Sequence, residues 1–234
     1  MDKTHGTSQG FSRLGGLTAL GLLLYALATM IVVFGLGGQP ASAQAVFDLL
    51  QANRLAGILR LDALTTLVMP LYYLLFLSLY LALRKDRPLV AAVSLLLGSA
   101  GLTLFLSAPS FFSWLALSDK FAAASDAAQK NLLLAAGESL LATDLWHGSS
   151  AFVGGLLVQV STLLFSLVML RSSFSKWTAW VGVVTHGLDL AHVLILPFLP
   201  TLGAILMAIG GTFYLLWFPL LGRDFFRLGR MVGK

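Results

Sequence analysis

The residues best suited to chemistry fall into two histidine–aspartate groupings. One is Thr185-His186-Gly187-Leu188-Asp189-Leu190-Ala191-His192, inside an apolar run from about Trp177 to Pro197. The other is Asp144 with His147, at the head of a second apolar run. Three-residue spacing makes His186 and Asp189, Asp189 and His192, and Asp144 and His147 neighbours on a helix face, about 5–6 Å apart at Cβ. Paired imidazoles and carboxylates suit zinc, iron or manganese. A zinc with an open position can activate water for hydrolysis. The same pairs can instead bind a small ligand, pass a proton, or satisfy each other and fix helix register. Asp62, which opens a third apolar run, joins them as a ligand-binding candidate.

Spacing narrows the choices. His186 and His192 stand about 120° apart around a helix axis and about 9 Å along it, so they do not share one ion. The expected metal set is Asp144 and His147 with Asp189 and His192. The expected ligand-binding set is His186, Asp189 and Asp62. Haem held between two histidines is less favoured, because His186 has no histidine partner at its own depth. His5 lies in the polar start and reads as a solvated tail residue. Ser149, Ser150 and Ser161 lack a nucleophile elbow, and no phosphate loop, dinucleotide fingerprint or H-E-x-x-H motif is present. The chain has no cysteine, which removes disulfides, thiolate metal sites and cysteine nucleophiles.

The elements that carry these residues must lie in lipid. Of 234 residues, 58% are hydrophobic and only 11% charged, whereas soluble domains carry roughly twice that charged fraction. Mean hydropathy is +0.88. The net charge of +5 sits in short clusters between apolar runs, the pattern that encodes membrane topology rather than nucleic-acid binding. The expected fold is all-α, a single polytopic membrane domain of six spans. These run from about Leu14 to Gly37, Asp62 to Leu83, Leu89 to Leu106, His147 to Leu170, Trp177 to Pro197 and Thr201 to Leu221. Pro70 interrupts the second span, as membrane helices tolerate.

Between the spans the chain is more polar. Residues 1–13 read as a flexible tail, and 41–61 as an interfacial helix or loop. Residues 107–147 form the longest polar segment, with a helix expected to start at Ser125 as N-cap and Asp126 in the first turn. Pro40 with Ala41-Ser42-Ala43 resembles a signal cleavage site, but the preceding apolar run exceeds the usual length of about 7–15 residues, so a retained span is expected. Ser94-x-x-x-Gly98, Gly154-Gly155 and Gly210-Gly211 offer notches for close helix approach or oligomerisation.

With six spans both termini share a side. Placing them inside puts eleven of the fifteen Lys and Arg on inner segments, leaving Arg54, Arg60, Lys120 and Lys130 outside. The positive-inside rule therefore predicts both termini in the cytoplasm, in a cytoplasmic membrane. His186 then lies roughly 14 Å deep, with Asp189, His192, Asp144, His147 and Asp62 towards the outer half. An outward-facing polar pocket is expected.

Several stretches resemble a known family. They are Ser118-Asp119-Lys120-Phe121-Ala122-Ala123-Ala124, Gln129-Lys130-Asn131-Leu132 onward to Ala142, Gly148-Ser149-Ser150-Ala151-Phe152, Met169-Leu170-Arg171-Ser172 and Trp180-Val181-Gly182. Together they resemble the bacterial and archaeal six-span proteins grouped as domain of unknown function 4386. The resemblance spans nearly the whole chain and implies a six-helix integral membrane protein without specifying an activity. His147, His186 and His192 depart from that family's pattern.

The sequence thus leads to three expectations. The first is a non-enzymatic membrane protein with an outer polar pocket for a small hydrophobic or ionic ligand. The second is a zinc-dependent intramembrane hydrolase using Asp and His from the fourth and fifth spans, by analogy with the alkaline ceramidase and adiponectin-receptor group. The third is a structural subunit of a membrane assembly. Transport is not favoured, because paired broken helices are lacking.

Overall fold

The computed structural model describes residues 3–232, with side chains over 9–231; residues 1–2 and 233–234 lie outside the described residues. Every described regular element is an α-helix. They are α1 (Lys3–Leu36), α2 (Ala43–Ala52), α3 (Arg54–Arg60), α4 (Ala63–Val68), α5 (Leu71–Leu83), α6 (Pro88–Leu106), α7 (Phe111–Ala123), α8 (Ala127–Leu141), α9 (Ser149–Met169), α10 (Lys176–Ile195) and α11 (Pro200–Val232). Among the described residues, five stretches are long and apolar enough to cross a membrane: Gln9–Leu36, Pro88–Ala123, Ser149–Met169, Lys176–Ile195 and Pro200–Met231. Many of their exposed side chains are large and apolar, with Phe34 85%, Leu89 76% and Ile31 72% exposed. Surfaces like these are matched by lipid rather than water. The chain is a multi-pass helical membrane protein.

Several sequence expectations take a different form. The second apolar run is broken into α4 and the short α5, with Pro70 at the α5 N-cap position. Pro70 has no amide hydrogen to donate, and here the chain turns between α4 and α5 instead of continuing as one helix. The helix of the long polar segment is capped by Asp126, whose Oδ1 accepts from the Gln129 amide at 2.7 Å, and not by Ser125. The stretch expected as a loose tail is helical from Lys3. Its later part packs on α11: Gly15 and Gly16 lie under the rings of Phe225 and Phe226, where a Cβ would come within 2.8 Å. α11 itself continues past its apolar stretch as an unbroken helix to Val232, despite Pro219.

The chain divides into two compact units, with the divisions falling inside or at the ends of helices. The first comprises Met1–Ala26, Met69–Thr103 and Gly154–Lys234. Its interior is lined by Leu75, Phe76, Leu79, Phe165, Trp217 and Phe218, all almost fully buried. Here α10 and α11 form an antiparallel hairpin. His192 meets Gly203, Asp189 meets Gly210, and Thr178 meets Asp224, stepping in opposite directions along the two helices.

The second unit comprises Leu27–Val68 and Leu104–Val153. Its core gathers Val46, Phe47 and Leu50 of α2 with Phe111, Trp114 and Phe121 of α7. Phe47 stacks on Phe121 at 4.6 Å. Ser42 caps α2, and Glu138 Oε1 accepts from the Ala43 amide at 2.7 Å, so α8 supplies a second acceptor for the start of α2.

Candidate functional site

In the first unit the sequence-predicted His186 and Asp189 lie in one hydrogen-bonded cluster. Both sit on the buried face of α10, as three-residue spacing requires. Gln159 of α9 bridges them: its Oε1 is 3.0 Å from His186 Nδ1, and its Nε2 donates to Asp189 Oδ2 at 3.2 Å. Tyr214 of α11 completes the set by donating its hydroxyl to the same Oδ2 at 2.6 Å. That hydroxyl oxygen also lies 3.4 Å from both Gln159 Nε2 and His186 Nδ1.

The roles follow from the inventory of donors and acceptors. The Gln159 amide turns its nitrogen towards a carboxylate, so its oxygen faces His186, whose Nδ1 must carry the hydrogen. In the neutral imidazole, His186 Nε2 is then the free acceptor. That atom is fully buried and has no partner among the described residues. Trp217 Nε1, a donor, is likewise buried without a partner. The two rings meet edge-on at 4.5 Å between centroids and 86° between planes. A buried polar atom left unpaired costs about 1–3 kcal/mol, and a lipid interior offers no replacement.

Glycines shape the surroundings. A Cβ on Gly182 would fall 2.5 Å from both Ser166 Oγ and Trp217 Nε1. One on Gly210 would fall 2.5 Å from Asp189 Oδ1. His192 lies outside this cluster: its Nδ1–H donates to the Gly203 carbonyl at 2.9 Å, tying down the turn between α10 and α11.

The second unit holds the other candidates. Asp144 is buried, and its Oδ1 accepts from the Trp146 amide at 2.9 Å, the His147 amide at 3.1 Å and His147 Nδ1 at 2.9 Å. Its Oδ2 accepts from Gln39 Nε2. Four donors occupy this carboxylate, so it orders the turn leading into α9 and orients the imidazole. His147 Nε2 remains open, and His147 helps line a hollow of about 620 Å³ with Gln39, Pro40, Ala41, Glu138, Leu141 and Ala142.

Asp62, in the turn between α3 and α4, has a left-handed backbone at φ 63°, which aspartate tolerates better than most residues. Its Oδ2 accepts from Trp146 Nε1. Burial pushes the Asp62 carboxyl up to about 7, with the nearby Asp144 charge adding to the rise and the Trp146 hydrogen bond opposing it.

The structure thus joins His186 with Asp189, and Asp144 with His147. Among the described residues no three His, Asp or Glu side chains gather as a metal-holding group. Asp144 and His147 belong to one unit and Asp189 and His192 to the other, each with the partners just described. Sequence reasoning passed over Gln159, Tyr214, Trp217 and Gln39. Gln159 carries the one signal that pointed to it, as the only amide side chain within α9. Comparison with family models, curated proteins and solved structures found no match to this chain.

Proposed function

We propose that the protein is a non-enzymatic integral membrane protein that binds a small polar ligand between α9, α10 and α11. The observation that carries this reading is the His186–Gln159–Asp189–Tyr214 cluster, which leaves a fully buried acceptor, His186 Nε2, without a partner among the described residues, on a ring packed against that of Trp217, whose Nε1 donor is likewise unpaired. Titratable groups at membrane depth are costly and mark ligand or ion sites by default. A donor next to an acceptor favours a hydroxyl- or amide-bearing molecule over a bare cation, which the indole N–H dipole would repel. Six spans with both termini cytoplasmic suit this reading, as does the resemblance to the six-span family.

Stability in the presence and absence of co-purifying small molecules tests it. Protein extracted gently and protein stripped by prolonged detergent exchange are compared by thermal unfolding, each as wild type and His186→Phe. Ligand binding predicts that stripping destabilises the wild type and leaves His186→Phe unchanged. A stripped wild type as stable as the gently extracted protein contradicts it.

A second reading rests on the Asp144–His147 pair. An imidazole oriented at Nδ1 by a buried carboxylate, on a residue that lines a hollow together with Glu138, is an arrangement that suits a metal ligand or general base. A zinc-dependent hydrolase would use it. Elemental analysis of protein prepared without chelator or metal-affinity steps decides: stoichiometric zinc, iron or manganese that vanishes in His147→Ala supports this reading, and metal-free wild type contradicts it.

A further inference from the structure

We infer that the basic end of α11 binds the phosphate of an anionic phospholipid, through Arg223, Arg227 and Arg230. These arginines follow one another at spacings of four and three, so they share a helix face. Together with Met231 they line one hollow of about 390 Å³. All three are exposed.

The one acid on α11 among the described residues, Asp224, is committed elsewhere. Asp224 is completely buried. Its Oδ2 accepts from the Ser175 amide at 2.8 Å and from Thr178 Oγ1 at 2.6 Å, at the start of α10. Arg223 and Arg227 approach its remaining oxygen at 3.4 Å and 3.6 Å. One carboxylate beside two of the three guanidiniums leaves an excess of positive charge among the described residues. The pairing also holds two of the three in place, and Arg227 donates to the Ser173 carbonyl at 2.6 Å. Arg230 makes no ion pair among the described residues. Guanidinium forks match phosphate oxygens in geometry, and a cluster already oriented loses less freedom on binding.

Position favours a lipid over a soluble phosphate. The arginines form the charged end of Pro200–Met231, a stretch of α11 long and apolar enough to cross a membrane. Met231, 55% exposed, gives the hollow an apolar wall. Trp177, 76% exposed, stands beside Ser175 and Thr178, Asp224's own partners, and indoles collect at the headgroup level. Basic hollows of this kind, where a helix leaves the hydrocarbon, suit anionic headgroups.

Native mass spectrometry of the full chain with phosphatidylglycerol or phosphatidylcholine tests the inference. Wild type should retain phosphatidylglycerol preferentially. Each arginine removed should weaken retention about fivefold, giving about 25-fold for Arg223→Gln/Arg230→Gln. Arg84→Gln/Lys85→Gln, which removes equal charge from the turn after α5, should leave retention unchanged. Millimolar inorganic phosphate should not displace the lipid. Three results overturn the inference: equal retention by Arg223→Gln/Arg230→Gln, equal weakening by Arg84→Gln/Lys85→Gln, or full displacement by phosphate. Should the double variant unfold in phosphatidylcholine alone, Arg230→Gln decides on the same criteria, because that side chain has no ion pair to lose among the described residues.

Discussion

The Tyr214 hydroxyl donates to Asp189 Oδ2 at 2.6 Å and so ties the only carboxyl of α10 to α11. Without it, Asp189 would keep a single donor, the Gln159 amide at 3.2 Å. Tyr214→Phe should therefore destabilise the protein by about 1–2 kcal/mol. In Asp189→Asn the same substitution should cost less, giving a coupling of about 0.5–2 kcal/mol in a double-mutant cycle measured by detergent unfolding. Additive losses would show that the two residues act independently.

Glycine positions test the close approach of the helices. Gly210→Ala places a methyl against Asp189 Oδ1, and Gly182→Ala places one against Ser166 Oγ and Trp217 Nε1. Each should lower stability by about 1–3 kcal/mol. Gly211→Ala, next to Gly210 but facing open space, should be neutral or slightly stabilising. Thermal midpoints in one detergent give the comparison.

Where the latter part of α11 passes the start of α10, Asp224→Ala leaves the Ser175 amide and the Thr178 hydroxyl without their acceptor and two arginines without a counter-charge. The expected loss is about 1–3 kcal/mol, set by the donors left without an acceptor, since both arginines stay about half exposed to solvent. Asp224→Asn should cost less, because it keeps an oxygen acceptor. Unfolding monitored by circular dichroism distinguishes the two.

Asp62 predicts a pH dependence. Its folded carboxyl titrates at about 7, above the ordinary 3.8, so the folded state holds the proton more tightly than the unfolded chain. Its contribution to stability is therefore full below about pH 4 and is lost as pH rises towards 7, with no further change above. Asp62→Asn should flatten thermal stability over that window. An unchanged slope in the variant would assign the pH dependence to other groups.

The helices were legible in the sequence because apolar length and charge-free runs report directly on a lipid environment. The placing of His186 beside Asp189, and of Asp144 beside His147, followed from spacing along one helix. The remainder depends on contacts between helices, which spacing within one helix does not encode. Gln159 and Tyr214 come from α9 and α11 and read in isolation as ordinary span residues. Asp144 looked like a metal ligand because nothing in the sequence reveals that Gln39, distant in the chain, and two local amides occupy its oxygens. The N-cap moved from Ser125 to Asp126 for a smaller reason, since adjacent residues with equal capping ability are decided by the local turn.

The most direct measurement is native mass spectrometry of gently extracted protein, wild type beside His186→Phe and Asp189→Asn. A small organic adduct on the wild type that is lost in both variants is the predicted result. A bare wild type, together with a His186→Phe variant at least as stable, would mean that His186 Nε2 meets no ligand, and would contradict ligand binding between α9, α10 and α11.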